Sequence, residues 1–84
     1  MKHVISIDPA TREEEVLATF ALVDGEVVAT YLDEGYRREV ELSGVWIPGV
    51  GERWPRDGAS FYDGLHRAYS NSSLCYVAVD EPAP

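Results

Sequence analysis

This chain predicts an α+β fold: a small antiparallel sheet of about three to five strands, with one or two helices packed on one face. Three observations point there. Asp24-Gly25 lies between two apolar runs, residues 16–22 and 27–32, and both central residues of a tight hairpin turn need positive φ. Runs with a period of two open and close the chain, at 1–8 and 74–80. Between them, 33–42 and 55–69 carry apolar residues at helical spacing. The expected order is strand, hairpin, helix, short hairpin, helix, strand.

The first strand puts His3, Ile5 and Ile7 on one side and Val4 and Ser6 on the other, and Asp8-Pro9 stops it. Residues 10–15 read as a polar loop, because the residues after TREEE are β-branched or aromatic and lead into a turn. Counting outward from the Asp-Gly turn pairs Leu22 with Val27, Phe20 with Ala29 and Ala18 with Tyr31. One face then holds Val16, Ala18, Phe20, Leu22, Val27, Ala29 and Tyr31 and is taken as core. The opposite face is only half polar, which is unusual for a solvated surface and requires a helix or another molecule to cover it. In the first helix Tyr36 and Val40 share a face, Gly35 weakens the element and Ser43-Gly44 ends it.

Val45-Trp46-Ile47 and Glu52-Arg53-Trp54 flank PGVG and read as a small hairpin or ordered loop. Pro55 suits the first turn of the second helix, and Asp57 there opposes the positive end of its dipole. Phe61, Leu65, Ala68 and Tyr69 form the expected packing stripe. Gly58 and Gly64 weaken that helix but offer places for it to approach the sheet closely. Ser70 to Ser73 form a polar turn, Cys75, Val77 and Val79 share one side of the last strand, and residues 81–84 read as a flexible tail. The whole, residues 1–84, reads as a single domain.

Fifteen acids against seven bases leave a net charge of −8. Residues 1–42 carry ten of those acids and four of the bases, so the excess sits in the first half. Direct binding to nucleic acid is disfavoured, since that affinity comes largely from Lys and Arg on phosphates. A basic partner, or simple solubility, is favoured. A single cysteine, Cys75, excludes an internal disulfide framework. With no apolar run of signal-peptide or membrane-spanning length, the expectation is a cytoplasmic, reducing compartment and no membrane partner.

Gly49, Gly51, Pro55, Asp57, Gly58, Phe61, Leu65, Tyr69, Ser70 and Ser72 make up a pattern of glycine-bearing turn, Pro-x-Asp-Gly, helix and serine-rich turn. The pattern resembles that of a group of small uncharacterised bacterial proteins of about this length. The sequence departs from it at Asn71-Ser72-Ser73-Leu74-Cys75, where a small-aromatic-basic pattern would be expected. The resemblance implies an independently folding domain and brings no activity, cofactor or site with it.

No residue pattern fixes a chemistry. His66 and Asp63, three apart, have the types of an acid/base pair, but Ser60 and Ser70 lack the setting of a nucleophile, and a solvent-facing histidine is the favoured reading. His3, His66 and Cys75 are scattered without paired metal-ligand spacing, so Cys75 reads as buried and structural. Gly49-x-Gly51 lacks the lysine of a phosphate loop, and Asn71-Ser72-Ser73 matches a glycosylation pattern by chance. Glu13, Glu14 and Glu15 lack the ligand alternation of a calcium loop. They read as a solvated run and a candidate contact for a basic partner. Trp46 and Trp54 read either as hairpin core anchors or, one of them exposed beside Arg53 and Arg56, as a binding hot spot.

The leading functional expectation is a non-enzymatic, acidic protein-interaction module: an adaptor, an inhibitor or a self-associating domain, with a homodimer among the options and no metal or cofactor. Its candidate contact residues are Trp46, Arg53, Trp54, Arg56, Glu13, Glu14 and Glu15. One alternative is an acidic mimic of a nucleic-acid backbone that blocks a basic groove, as an inhibitor or antitoxin would. It requires the ten acids of residues 1–42 to lie along one ribbon. Another is a small ligand-binding protein or enzyme using Arg53, Arg56, Asp57, His66 and Tyr69, which needs a concave pocket.

Overall fold

The computed structural model describes residues 1–45, 47–54 and 58–79. It is α+β, with five antiparallel strands and two helices. In chain order these are β1 (Lys2–Ile7), β2 (Glu14–Val23), β3 (Glu26–Leu32), α1 (Glu34–Leu42), β4 (Arg53–Trp54), α2 (Gly58–Tyr69) and β5 (Cys75–Val79). The sheet order is β4-β3-β2-β1-β5, so β4 and β5 form its two edges.

The β2–β3 hairpin forms as its sequence dictates. Asp24 and Gly25 take φ of 52° and 79°, and Leu22 pairs with Val27 and Phe20 with Ala29. Beyond Phe20 the register slips, and Ala18 faces Leu32, not Tyr31. A second slip separates Val4–Ala18 from Ile5–Val16 in the β1–β2 pair. Each is a β-bulge, in which one strand contributes an extra residue, Thr30 in β3 and Leu17 in β2. Each inverts the alternation beyond it. Val16 and Tyr31, expected in the core, therefore point to the other side and are 39% and 45% exposed. Leu17 and Leu32 pack against the core in their place. Leu22 keeps its expected register but is exposed near the hairpin tip.

At the β1–β2 turn, Asp8 Oδ1 accepts from the N–H of Ala10 and Thr11, and the Asp8 carbonyl accepts from Arg12 N–H. Arg12 adopts a φ of 63° there. The strand resumes at Glu14, inside the segment expected to be loop. Asp33 caps α1, its Oδ2 accepting from Tyr36 N–H at 3.1 Å, which satisfies one of the orphan donors of the first turn.

Residues 47–52 fold back without a hairpin of their own. Gly51 N–H donates to the Ala29 carbonyl, after which Arg53 and Trp54 pair with Val28 and Val27 of β3. Ile47 and Pro48 are buried beneath this return. The expectations placed on Trp46, Arg56, the proline start of the second helix and the tail 81–84 lie outside the described residues.

The core fills one side of the sheet: Val4, Ala18, Phe20, Val27, Ala29 and Trp54 from the strands, Tyr36, Tyr62 and Leu65 from the helices, and Ile47. Phe20, Trp54 and Phe61 form an aromatic trio with centroid separations of 4.7 to 5.9 Å. The two Phe20 contacts are edge-to-face, the arrangement ring quadrupoles favour. The packing stripe of α2 is Gly58, Phe61, Tyr62, Leu65 and Tyr69. Ala68 is exposed, so the stripe is rotated toward Tyr62 relative to the expected one. Lys2 helps to hold α2 down: its Nζ donates to the Tyr62 carbonyl at 2.8 Å and lies 4.2 Å from the centre of the Tyr62 ring. Its stem is buried while the charge keeps polar partners.

Candidate functional site: the open face and free edge of the sheet

Helices and core residues occupy one face of the sheet, and the bulges decide what the other carries. Strand alternation puts His3, Ile5 and Ile7 of β1 there, with Val16, Thr19, Ala21 and Val23 of β2, Val28 and Tyr31 of β3, and Tyr76 and Ala78 of β5. No described helix packs on this face. Its middle is apolar or neutral: Ile5 faces Val16 on one side and Tyr76 on the other, and Ala21 faces Val28. His3 Nδ1 and Thr19 Oγ1 are 2.9 Å apart, and Thr19 is buried. Among the described residues no helix covers this face, and its membership differs from the expected one, since Val16 and Tyr31 were placed on the core side.

Charge frames this face at opposite ends. At one end Glu14 accepts a 2.9 Å hydrogen bond from the Tyr76 hydroxyl. That bond to a carboxylate stabilises the protonated phenol and raises its pKa, with burial and the carboxylate charge adding to the effect. Glu13, Glu14 and Glu15 line a shallow hollow with Ser6, Ile7 and Asp8. At the other end Arg53 bridges Glu26 at 3.4 Å and Asp24 at 3.7 Å. Ten residues of β2 separate the ends, about 30 Å of extended chain. Asp33, Glu34, Glu39 and Glu41 belong to α1 and its cap, where Arg37 pairs with Glu41. Asp24 and Glu26 lie at the opposite end of β2 from Glu13, Glu14 and Glu15, whereas the Asp33 N–H donates to the Leu17 carbonyl and so places the cap of α1 toward the Glu14 end.

The candidate contact residues divide accordingly. Arg53 is exposed, but its guanidinium is shared between two carboxylates. Glu13, Glu14 and Glu15 are exposed and adjacent. Trp54 is 6% exposed and packed on Phe20 and Phe61, so it is a core anchor and not a surface hot spot. His66 and Asp63 are exposed on α2 and lie in no described pocket with a nucleophile. Cys75 is half-buried, where full burial was expected. Among the described residues no cluster of His, Cys, Asp or Glu has the makings of a metal site, and no helix is long and apolar enough to cross a membrane.

The sequence pointed to a half-polar second face but assigned Val16 and Tyr31 to the core. Nothing local marks Leu17 or Thr30 as bulge residues, for neither is a glycine and both suit a regular strand. The edge role of β5 also has no local signature, since CYVAV would serve equally well in the middle of a sheet.

Comparison with known proteins adds no relative. No family model, no curated protein and no solved structure matches this chain.

Proposed function

We propose that this chain is a non-enzymatic protein-interaction module that binds through the open face of its sheet. The observation that carries this reading is that no described helix covers this face, on which the apolar pairs Ile5–Val16 and Ala21–Val28 flank a His3–Thr19–Tyr31 row and Val16 and Tyr31 are exposed. Small monomeric domains rarely leave contiguous apolar surface to water, and such a patch rimmed by charge is the usual form of a protein-binding surface. Glu14 at one end and the Asp24–Glu26–Arg53 group at the other supply that rim. The single thiol and the acidic balance fit a reducing, cytoplasmic setting.

The test is a double variant, Val16→Lys/Tyr31→Lys, chosen because both side chains are already partly exposed and add little to the core. Proteins captured by the native chain and verified by cross-linking should be lost from the variant, while its thermal midpoint stays within a few degrees of native. A native chain that neither captures a protein nor self-associates would overturn the reading. So would capture that survives the double substitution unchanged.

A further inference from the structure

Resting on that reading, we infer that one partner is a second copy of this chain, joined through antiparallel pairing of β5 with β5 across a two-fold axis. Every strand edge presents a row of N–H and C=O groups that only another extended backbone can satisfy along its length, and proteins normally blunt such edges with charge, proline, bulges or brevity. The two edges of this sheet differ in that respect. β4 is two residues long, and its Arg53 is held in ion pairs with Asp24 and Glu26. β5 is five residues, Cys75-Tyr76-Val77-Ala78-Val79, with no charge and no proline. It pairs with β1 in continuous register from Lys2–Val79 to Ser6–Cys75, without a bulge. Among the described strands, none lies on its outer side.

Ser72 Oγ accepts from the Cys75 N–H at 3.1 Å at the start of this edge, and from Tyr76 onward the strand's own side chains do not shield it. The Tyr76 hydroxyl reaches Glu14 on β2, two strands away, so its ring lies inward across the sheet and not over the edge. Ala78 on the same face is too short to shield anything. An axis at Val77 then sets Val77 against Val77 of the other copy, Tyr76 against Ala78, and Cys75 against Val79. Each pair is uncharged, and the small Ala78 stands opposite Tyr76, whose ring leans away over its own sheet. No charge meets its like at the axis, although the chain as a whole is at −8. A basic peptide would find no acid on β5, whereas the uncharged, β-branched strand that fits best is β5 itself. The product is a closed two-fold dimer with one ten-stranded sheet, its two open faces side by side. Strand pairing alone makes a small interface, so the dimer should be reversible, with a dissociation constant on the order of 10 µM.

Sedimentation equilibrium of the native chain over roughly 1 µM to 1 mM should show a transition from the 9.3 kDa monomer to twice that mass. Ala78→Glu, which sets a carboxylate opposite Tyr76 of the other copy and brings the two new carboxylates diagonally together across the axis, should weaken association at least tenfold while circular dichroism stays native. Register is read with Cys75→Ser/Val77→Cys. Directly opposed strand residues stand about 4.5–5.5 Å apart at Cα, within disulfide reach, so oxidation should trap this variant as a covalent dimer. Native Cys75 should not be trapped, because in this register the two copies of Cys75 lie about 13 Å apart along the strands. A chain that remains monomeric throughout overturns the inference. A dimer indifferent to Ala78→Glu, or not trapped by the Val77→Cys change, also overturns it. A monomer that still captures another protein through Val16 and Tyr31 would defeat the dimer and leave the interaction reading standing.

Discussion

Tyr36 is the residue whose chemistry most exceeds its structural role. It is 4% exposed, and although the Tyr69 side chain lies close to its hydroxyl, no hydrogen bond of good geometry satisfies it among the described residues. A buried polar group in that state costs about 1–3 kcal/mol relative to one that is satisfied. Burial pushes its pKa far above the ordinary tyrosine value, and the neighbouring Tyr69 and Cys75 side chains add to the shift. In the unfolded chain the phenol ionises near pH 10, whereas in the folded chain it stays protonated well beyond that. Its contribution to stability is therefore intact below about pH 10 and is lost as pH rises toward the folded value. Urea midpoints should fall above about pH 10, and Tyr36→Phe should make that fall shallower. Tyr62, raised by burial and by Asp63, and Tyr76 keep part of the slope. At neutral pH the same substitution should be neutral or stabilising by up to about 1 kcal/mol, since it deletes an unsatisfied group without changing shape. A variant whose alkaline fall parallels the native one would show that Tyr36 is not the titrating site.

At the scale of the element, α2 shows how two glycines in one helix come to mean different things. A Cβ on Gly58 would sit 2.5 Å from Trp54 Cβ and 3.2 Å from Val27 Cβ, so the helix start is pressed directly on the sheet edge. A Cβ on Gly64 would meet nothing within 4 Å. Gly64→Ala should raise stability by roughly 0.5–1 kcal/mol through helix propensity alone. Gly58→Ala should lower it by about 1–3 kcal/mol, because overpacking against Trp54 outweighs the same propensity gain. Opposite signs in urea denaturation are the expected result, and two stabilising changes would mean that α2 does not dock at Gly58.

The sequence shows both glycines and cannot rank them, because their difference lies in what stands across from each. The same limit applies to the strands. Asp24-Gly25 made the hairpin legible, and the alternation of β1 and β5 made those strands legible. The bulges at Leu17 and Thr30 were not, since a bulge is settled by the neighbouring strand and not by its own residues. Two one-residue slips were enough to move Val16 and Tyr31 from the expected core to the proposed binding face. Trp54 was legible as one of two alternatives, and the trio with Phe20 and Phe61 settles it as core.

For the molecule as a whole, the question is how much depends on that aromatic trio. Stability for a chain of 84 residues should amount to about 4–13 kcal/mol, at 0.05–0.15 kcal/mol per residue. Phe20 is fully buried in β2 and touches both Trp54 from the edge strand and Phe61 from α2, so it joins three elements at one point. Phe61 is only half-buried, at the rim of the same cluster. Phe20→Ala should cost about 3–5 kcal/mol, enough to take much or all of the stability, and should expose Trp54 with a red shift in its emission. Phe61→Ala should cost distinctly less and leave a folded domain, because water already reaches part of the ring and the cavity left behind is open on one side. That ordering also bears on the binding face. Phe61 lies on the helix side, away from Val16 and Tyr31, so a folded Phe61→Ala variant should keep native capture and native dimerisation. If Phe61→Ala proves as costly as Phe20→Ala, the helix and not the sheet is the organising element of this core. If Phe61→Ala stays folded but loses binding, the contact surface lies on the helical side and the open face of the sheet is not the site.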